Sequence, residues 1–195
     1  DPDIESVTIQ GNIIGPDRTG TVSLVDCGGM SSSSGIRSEW NRADLLIGGV
    51  TPGARNIISG WSYNIYLLLV GGKIRIQGNY IGTDLTGTSA MPNAYDGVAL
   101  QCGPDGPHDN LVGGYTPTTR NLVSGNGDTA ILLRGTVSNT VSGNLIGLDQ
   151  DGTRDFRVQA MVISPNYASD LTVYVGTKYH GVWRTADGGN SWTVV

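Results

Sequence analysis

Residues 74–88 read IRIQGNYIGTDLTGT, and the same pattern stands at two other places, VTIQGNIIGPDRTGT at 7–21 and TVSGNLIGLDQDGT at 140–153. Gly11, Gly78 and Gly143 are therefore equivalent positions, separated by nearly equal steps of sequence. A second pattern alternates with the first: LLIGGVTPGARNIISG from Leu45 and NLVGGYTPTTRNLVSGN from Asn110. Gly48 to Gly113, Asn56 to Asn121 and Gly78 to Gly143 all keep one and the same offset. Two interleaved motifs on one offset are an internal repeat, and a period of this kind signals a solenoid, a propeller or an array.

The physics of one unit selects among these. In IRIQGN, Ile74 and Ile76 alternate with polar residues, which is strand periodicity, and Gly78-Asn79 follows as a turn that tolerates positive φ. Short apolar runs recur through the repeat without any helical i, i+3, i+4 stripe: Leu111-Val112, Leu122-Val123, Ile131 to Leu133, Val141, Ile146. Short strands with Gly and Asn at the corners suit a chain wound in coils of about 20 residues, each stacked on the last. At a strand spacing of about 4.8 Å, residues 1–153 would give roughly eight coils and a rod about 40 Å long. Ile9, Ile14, Ile58, Ile76, Ile81, Val123, Val141 and Ile146 are expected to point inward as aliphatic ladders. Asn12, Asn79, Asn144, Asn56 and Asn121 are expected at corners, their amides bonded to the backbone of neighbouring coils.

The alternation of GN-x-IG-x-D-x-x-GT with IGG-x-TP-x-x-RN-x-(I/V)SG resembles the right-handed parallel β-helix repeats of large secreted or surface proteins of bacteria. The likeness covers about three quarters of the chain. It implies an all-β, right-handed parallel β-helix solenoid and an extracellular or cell-surface location. It implies little about activity, since one fold carries many functions.

Composition agrees. Thirty glycines, 15% charged residues and a single Phe in 195 residues describe a turn-rich β protein. A net charge of −5 argues against a nucleic-acid partner, which needs a basic face. No run of apolar residues is long enough to span a membrane. More than three of the expected coils separate Cys27 from Cys102, so an internal disulfide is not expected. Buried small hydrophobes and an intermolecular bond are the two readings left for them.

In chain order, Val7-Thr8-Ile9-Gln10 is already a full repeat strand, so the chain is expected to begin mid-solenoid. Either it is a piece of a longer protein or its first coil is covered by something else. Residues 22–41 are the least regular part, and the Ser31 to Ser34 run is expected as a side loop. Trp40 and Trp61 have two readings: packing under that loop, or stacking on sugar rings as glycan contacts. A second side loop is expected at 102–110, with His108 solvated. Asp17, Asp84 and Asp149 follow each GN-x-IG corner. A carboxylate there can hold its own turn's amides; the sharper reading is calcium, which takes hard oxygen ligands, though equivalent Asp residues recur about three expected coils apart, which speaks against a strong site. Arg55 and Arg120 recur at corners as turn supports.

From Arg154 the period stops, which divides the chain into repeats at 1–153 and a distinct segment at 154–195. This segment reads as three strands: 160–164, 172–176 continued after a short turn at 181–184, and 192–195. Thr185-Ala-Asp187-Gly-Gly189-Asn-Ser191-Trp192 resembles the Asp-box of sialidase-type and related β-propellers, S/T-x-D-x-G-x-x-W, and SPNYASDLTVYVGT resembles a blade opening there. The resemblance implies a small antiparallel blade-like sheet in which Asp187, Gly189 and Trp192 shape a hairpin turn, away from catalysis. One thin sheet cannot bury both faces. It requires further blades, a place capping its own solenoid, or pairing with another copy.

Two functions follow as expectations. The first is a noncatalytic structural or adhesive repeat protein, its copies joined head-to-tail into filaments through the open first coil and the blade-like segment. The second is a glycan-binding module or polysaccharide-active enzyme whose partner is a surface polysaccharide. No adjacent Asp-Asp pair and no Gly-His-Gly stand in the sequence to supply converging acids for the latter.

Overall fold

The computed structural model describes residues 5–24, 33–39, 43–68, 73–101, 109–135, 138–147, 158–164, 166–177, 181–187 and 193–195. The strands in chain order are β1 (Ser6–Ile9), β2 (Ile13–Ile14), β3 (Ser34–Glu39), β4 (Asp44–Gly48), β5 (Ile57–Ile58), β6 (Tyr63–Leu68), β7 (Ile74–Gln77), β8 (Tyr80–Ile81) and β9 (Val98–Gln101). They continue with β10 (Leu111–Gly113), β11 (Leu122–Val123), β12 (Ile131–Arg134), β13 (Thr140–Ser142), β14 (Leu145–Ile146), β15 (Val158–Ile163), β16 (Val173–Thr177), β17 (Val182–Thr185) and β18 (Thr193–Val194). Only a short 3-10 turn, Pro52–Ala54, and a single helical turn, Tyr167–Asp170, interrupt the β structure of the described residues.

The first fourteen strands are dealt in rotation to three parallel sheets. Sheet one is β1-β4-β7-β10-β13, sheet two is β2-β5-β8-β11-β14, and sheet three is β3-β6-β9-β12. Each strand therefore pairs with the one three places later. The chain completes a circuit of all three sheets before it returns beside its starting strand.

Period-2 patterning explains which side faces in. In sheet one, Ile9, Ile47, Ile76, Val112 and Val141 stand in one row of register partners. In sheet two the row is Ile14, Ile58, Ile81, Val123 and Ile146. Sheet three supplies Ile36, Ile65, Val98 and Ile131, with Leu67, Leu100 and Leu133 one pleat further on. These rows meet in a single apolar core, and all the aliphatic residues expected inside either belong to it or pack on it.

The circuit is longer than expected. Register partners along sheet one step from Val7 to Leu45, from Leu45 to Ile74, from Ile76 to Val112 and from Val112 to Val141, each well beyond the anticipated coil. One full repeat, as from Ile76 to Val141, is thus two circuits and not three, a longer one through Val112 followed by a shorter one. Five strands in sheet one replace the roughly eight coils expected. At about 4.8 Å per spacing they stack to about 20 Å, half the anticipated length. The two motifs are alternate ways round the same corner, which is why their period conceals a circuit. The first and third circuits pass from sheet one to sheet two by Gly-Asn and have their longer connection after sheet two; the second and fourth place a TP loop before Asn56 and Asn121.

Ser34 opens β3 rather than lying in a side loop, because Gly-Ile-Arg-Ser-Glu continues the inward and outward alternation of β6 and β9. Residues 31 and 32 lie outside the described set.

The C-terminal segment forms one antiparallel sheet, β15-β16-β17-β18. It has four strands where three were expected, since the stretches on either side of 178–180 are separate register-paired strands. Asp170 closes the connection from β15 to β16, accepting from the Ser164 hydroxyl at 2.6 Å and the Thr172 amide at 2.8 Å. The sheet lies against the last parallel circuit. Ala160 packs on the core, and a Cβ built on Gly176 would stand 3.1 Å from Ile146 Cγ2.

Candidate functional site

The five corner asparagines form one file along the stack. Nδ2 of Asn12 donates to Oδ1 of Asn56 at 3.0 Å, Asn56 to Asn79 at 2.9 Å, Asn79 to Asn121 at 3.0 Å and Asn121 to Asn144 at 2.9 Å. Each receiving Oδ1 also accepts the backbone N–H of the preceding asparagine, at 3.0, 3.2, 3.0 and 3.2 Å. The second Nδ2 hydrogen of Asn56, Asn79, Asn121 and Asn144 goes to the carbonyl of Ile9, Ile47, Ile76 and Val112, respectively. An amide suits this place because it has two donors and a two-lone-pair acceptor, the set needed to serve two circuits at once. Asn56, Asn79 and Asn121 are fully buried, so the file satisfies backbone groups water cannot reach. Gln10 and Gln77 add parallel links, each donating to a glycine carbonyl of the next circuit at 2.8 Å.

The aspartates after the corners hold turns. Asp17 Oδ1 accepts the amides of Thr21 and Val22 at 3.1 Å each, and the Thr19 hydroxyl reaches both carboxylate oxygens at 2.8 Å. Asp84 repeats the arrangement with Thr88, Ser89 and Thr86. The Thr19 hydroxyl is the main reason the Asp17 carboxyl sits below its ordinary value, against a burial penalty and with help from the turn amides. Asp149, the third calcium candidate, lies outside the described residues. Arg55 supports a corner: its Nε donates to the Gly78 carbonyl at 3.1 Å and its guanidinium lies 4.1 Å from the Tyr80 ring centre. Arg120 is exposed.

Of the two tryptophans considered for sugar stacking, Trp61 is half-buried between backbone segments. A Cβ built on Gly35 would lie 2.8 Å from its Cδ1, and one on Gly15 2.7 Å from its Nε1. The pyrrole edge of the indole is thus closed over by these two glycines, which matches packing rather than an open platform. Trp40, Cys27, Cys102, His108, Gly189 and Trp192 lie outside the described residues. At the C-terminal turn the Thr185 hydroxyl donates to Asp187 Oδ1 at 2.6 Å, and the Asp187 amide donates back to that hydroxyl at 3.3 Å.

A group not singled out from sequence gathers at the entrance to sheet three. Tyr63 and Tyr66 stand with ring centres 5.0 Å apart and planes at 52°, and Tyr63 and Tyr95 at 5.1 Å and 31°. Register explains the meeting. Tyr63 begins β6, and the Tyr95 amide donates to the Ser62 carbonyl at 2.9 Å, which puts Tyr95 beside it on the next circuit. The Arg37 guanidinium of β3 lies 5.4 Å from the Tyr66 ring centre and is paired with Glu39 at 2.6 Å. On the other flank, Asp96 Oδ1 accepts the Thr129 amide at 3.2 Å. Burial pushes the Asp96 carboxyl above its ordinary value, with Asp128 adding to the effect against the Thr129 bonds. Burial likewise raises the Tyr63 phenol, followed by the charge of Asp96 and then its ring neighbours and Asp128. The signal was present in the sequence as Tyr63-x-x-Tyr66 and Tyr95-Asp96. It required the circuit length to superpose the start of β6 on the chain just before β9.

A shallow groove at sheet one is lined by Ser6, Val7, Thr8, Asp44, Leu45, Leu46, Lys73 and Arg75. Asp44 there accepts the Lys73 amide at 2.8 Å. Among the described residues no three His, Cys, Asp or Glu side chains converge as metal ligands, and no helix is long and apolar enough to cross a membrane. No protein-family model, no curated protein and no solved structure matches the chain.

Proposed function

We propose that the chain is a structural repeat module of an extracellular or cell-surface protein: a three-faced parallel β-helix that carries no catalytic centre of its own. The observation that supports this most is the asparagine file. The residues that recur with the repeat are consumed in axial hydrogen bonds and turn closure, so the repeat is accounted for by architecture. Each strand–crossover–strand connection within a sheet is right-handed in nearly all proteins, which favours the right-handed form. In this reading Asp17 and Asp84 are turn acceptors with their oxygens already engaged, and calcium has no part. The C-terminal sheet serves as a cover for the last circuit, in keeping with Gly176 and Ala160 against Ile146. The Thr185–Asp187 bonds fit the turn of an Asp-box.

Two measurements test the proposal together. Incubation with neutral and acidic polysaccharides should release neither reducing ends nor unsaturated sugars. Antibody labelling of intact source cells should find the chain accessible. Turnover abolished by substituting one acid would overturn the noncatalytic reading, and labelling only after lysis would overturn the location.

A further inference from the structure

We propose that the Tyr63, Tyr66 and Tyr95 cluster at the entrance to sheet three is a binding site for an uncharged glycan. This goes beyond the architectural reading above, since none of the three tyrosines belongs to the corner file or to the turn motifs.

The chemistry of the surface selects the ligand. The three rings adjoin one another with tilted planes, Tyr63 central to both pairs and half-buried like Tyr66, and Tyr95 the most open, 39% exposed. An aromatic face attracts polarised C–H groups, and a phenol adds a polar tip at its rim. Asp128 is exposed beside the cluster, its amide donating to the Tyr95 carbonyl at 2.9 Å, whereas Asp96, next to Tyr95 in the chain, is buried with its carboxylate bonded to the Thr129 amide. Arg37, on the opposite flank, is already matched by Glu39. The exposed excess is therefore the Asp128 carboxylate, which disfavours a uronate or sulfated chain by like-charge repulsion. Carboxylates only accept hydrogen bonds. The fitting ligand has an apolar C–H face for the rings and hydroxyl donors around its edge for Asp128 and the phenol oxygens, which describes a neutral pyranose. A proline-rich segment would satisfy the rings too, but proline has no N–H to offer Asp128.

Affinity electrophoresis of the whole chain through gels containing hydroxyethylcellulose, galactomannan or xyloglucan tests the site, with polygalacturonate as the anionic polymer and a proline-rich decapeptide titrated separately by calorimetry. At least one neutral polymer should retard the protein. Tyr95→Ala should weaken that binding about tenfold, equivalent to about 1.4 kcal/mol. Tyr66→Phe, which keeps the ring and loses the hydroxyl, should weaken it by a smaller factor, and Tyr115→Ala, at an 84% exposed position outside the cluster, should leave it unchanged. Circular dichroism of each variant establishes that it is folded. No retardation by any neutral polymer, binding confined to polygalacturonate or the peptide, or equal binding by wild type and folded Tyr95→Ala would each overturn the proposal.

Discussion

Replacing Asn79 by alanine tests whether the corner file is what holds successive circuits together. Asn79 is fully buried. Its Oδ1 accepts the Asn56 amide at 3.2 Å and the Asn56 side chain at 2.9 Å, and its Nδ2 donates to the Ile47 carbonyl at 2.9 Å and to Asn121 at 3.0 Å. Alanine takes the acceptor from two buried donors, the Asn56 N–H and one Asn56 Nδ2 hydrogen. A buried polar group left unsatisfied costs about 1–3 kcal/mol, so the pair should lower stability by about 3–5 kcal/mol. Asn12, the exposed first member of the file, makes chemically similar bonds to Asn56 and Gln10, but water can replace them. Asn12→Ala should cost about 1 kcal/mol or less. Urea denaturation followed by circular dichroism, with the slope compared between variants to detect partial unfolding of the stack, gives both numbers. The reasoning is refuted if Asn79→Ala costs under about 1 kcal/mol, the lower bound for one orphaned group, or if the two variants are equal. Asn79→Asp sharpens the comparison. A buried carboxylate facing the Ile47 and Asn121 oxygens has its folded pKa raised above its unfolded value, so its penalty is smallest below about pH 3.9 and grows as pH rises through the folded pKa.

Further outcomes follow from the same geometry. Gly48 has φ +79, and a Cβ there would run into the Gln77 carbonyl and the Asn79 amide, so Gly48→Ala should cost about 3 kcal/mol or more; Gly53, with open space around it, should accept alanine within about 0.5 kcal/mol. The Asp17 carboxyl should titrate below its ordinary 3.8 by carbon-detected NMR, and Thr19→Val should move it back up. Because this folded pKa is depressed, the turn's contribution is present above 3.8 and lost as pH falls through the lower folded value. Gly176→Val should lower stability by about 1–3 kcal/mol through overlap with Ile146, as read by urea denaturation; an unchanged midpoint would mean the C-terminal sheet does not bear on the last circuit.

The inward rows and corner asparagines were legible because both are periodic in the chain: Ile76 stands to Val141 as Asn79 stands to Asn144, at one offset, and a repeat forces equivalent environments. The number of circuits was not legible from that period. Two circuits fit within one repeat because Gly78-Asn79 and Arg120-Asn121 are different ways of delivering an asparagine to the same row, and pairing identical motifs skips the circuit between them. The Asn64 to Asn126 bond at 3.0 Å, on the corner into sheet three, went unseen for a related reason. The loops before sheet three, 82–97 and 124–130, differ in length, so no constant offset marks them.

The tyrosine cluster shows how the hidden circuit matters for function. The step from Tyr63 to Tyr95 matches no motif offset, and the two rings meet only because sheet three is stacked circuit on circuit like sheet one. In sheet one the same two circuits are linked by the step from Ile47 to Ile76, which is shorter than this one, so no single interval links the two sheets. Stacked circuits fix their interior by repetition and leave the outer row of each sheet to vary. On sheet three that row reads Arg37, Tyr66, Ala99 and Leu132 in register order, four unlike side chains on one repeated backbone. Repetition therefore identifies the residues that build this protein, while the residues that single out one part of its surface are found where repetition fails.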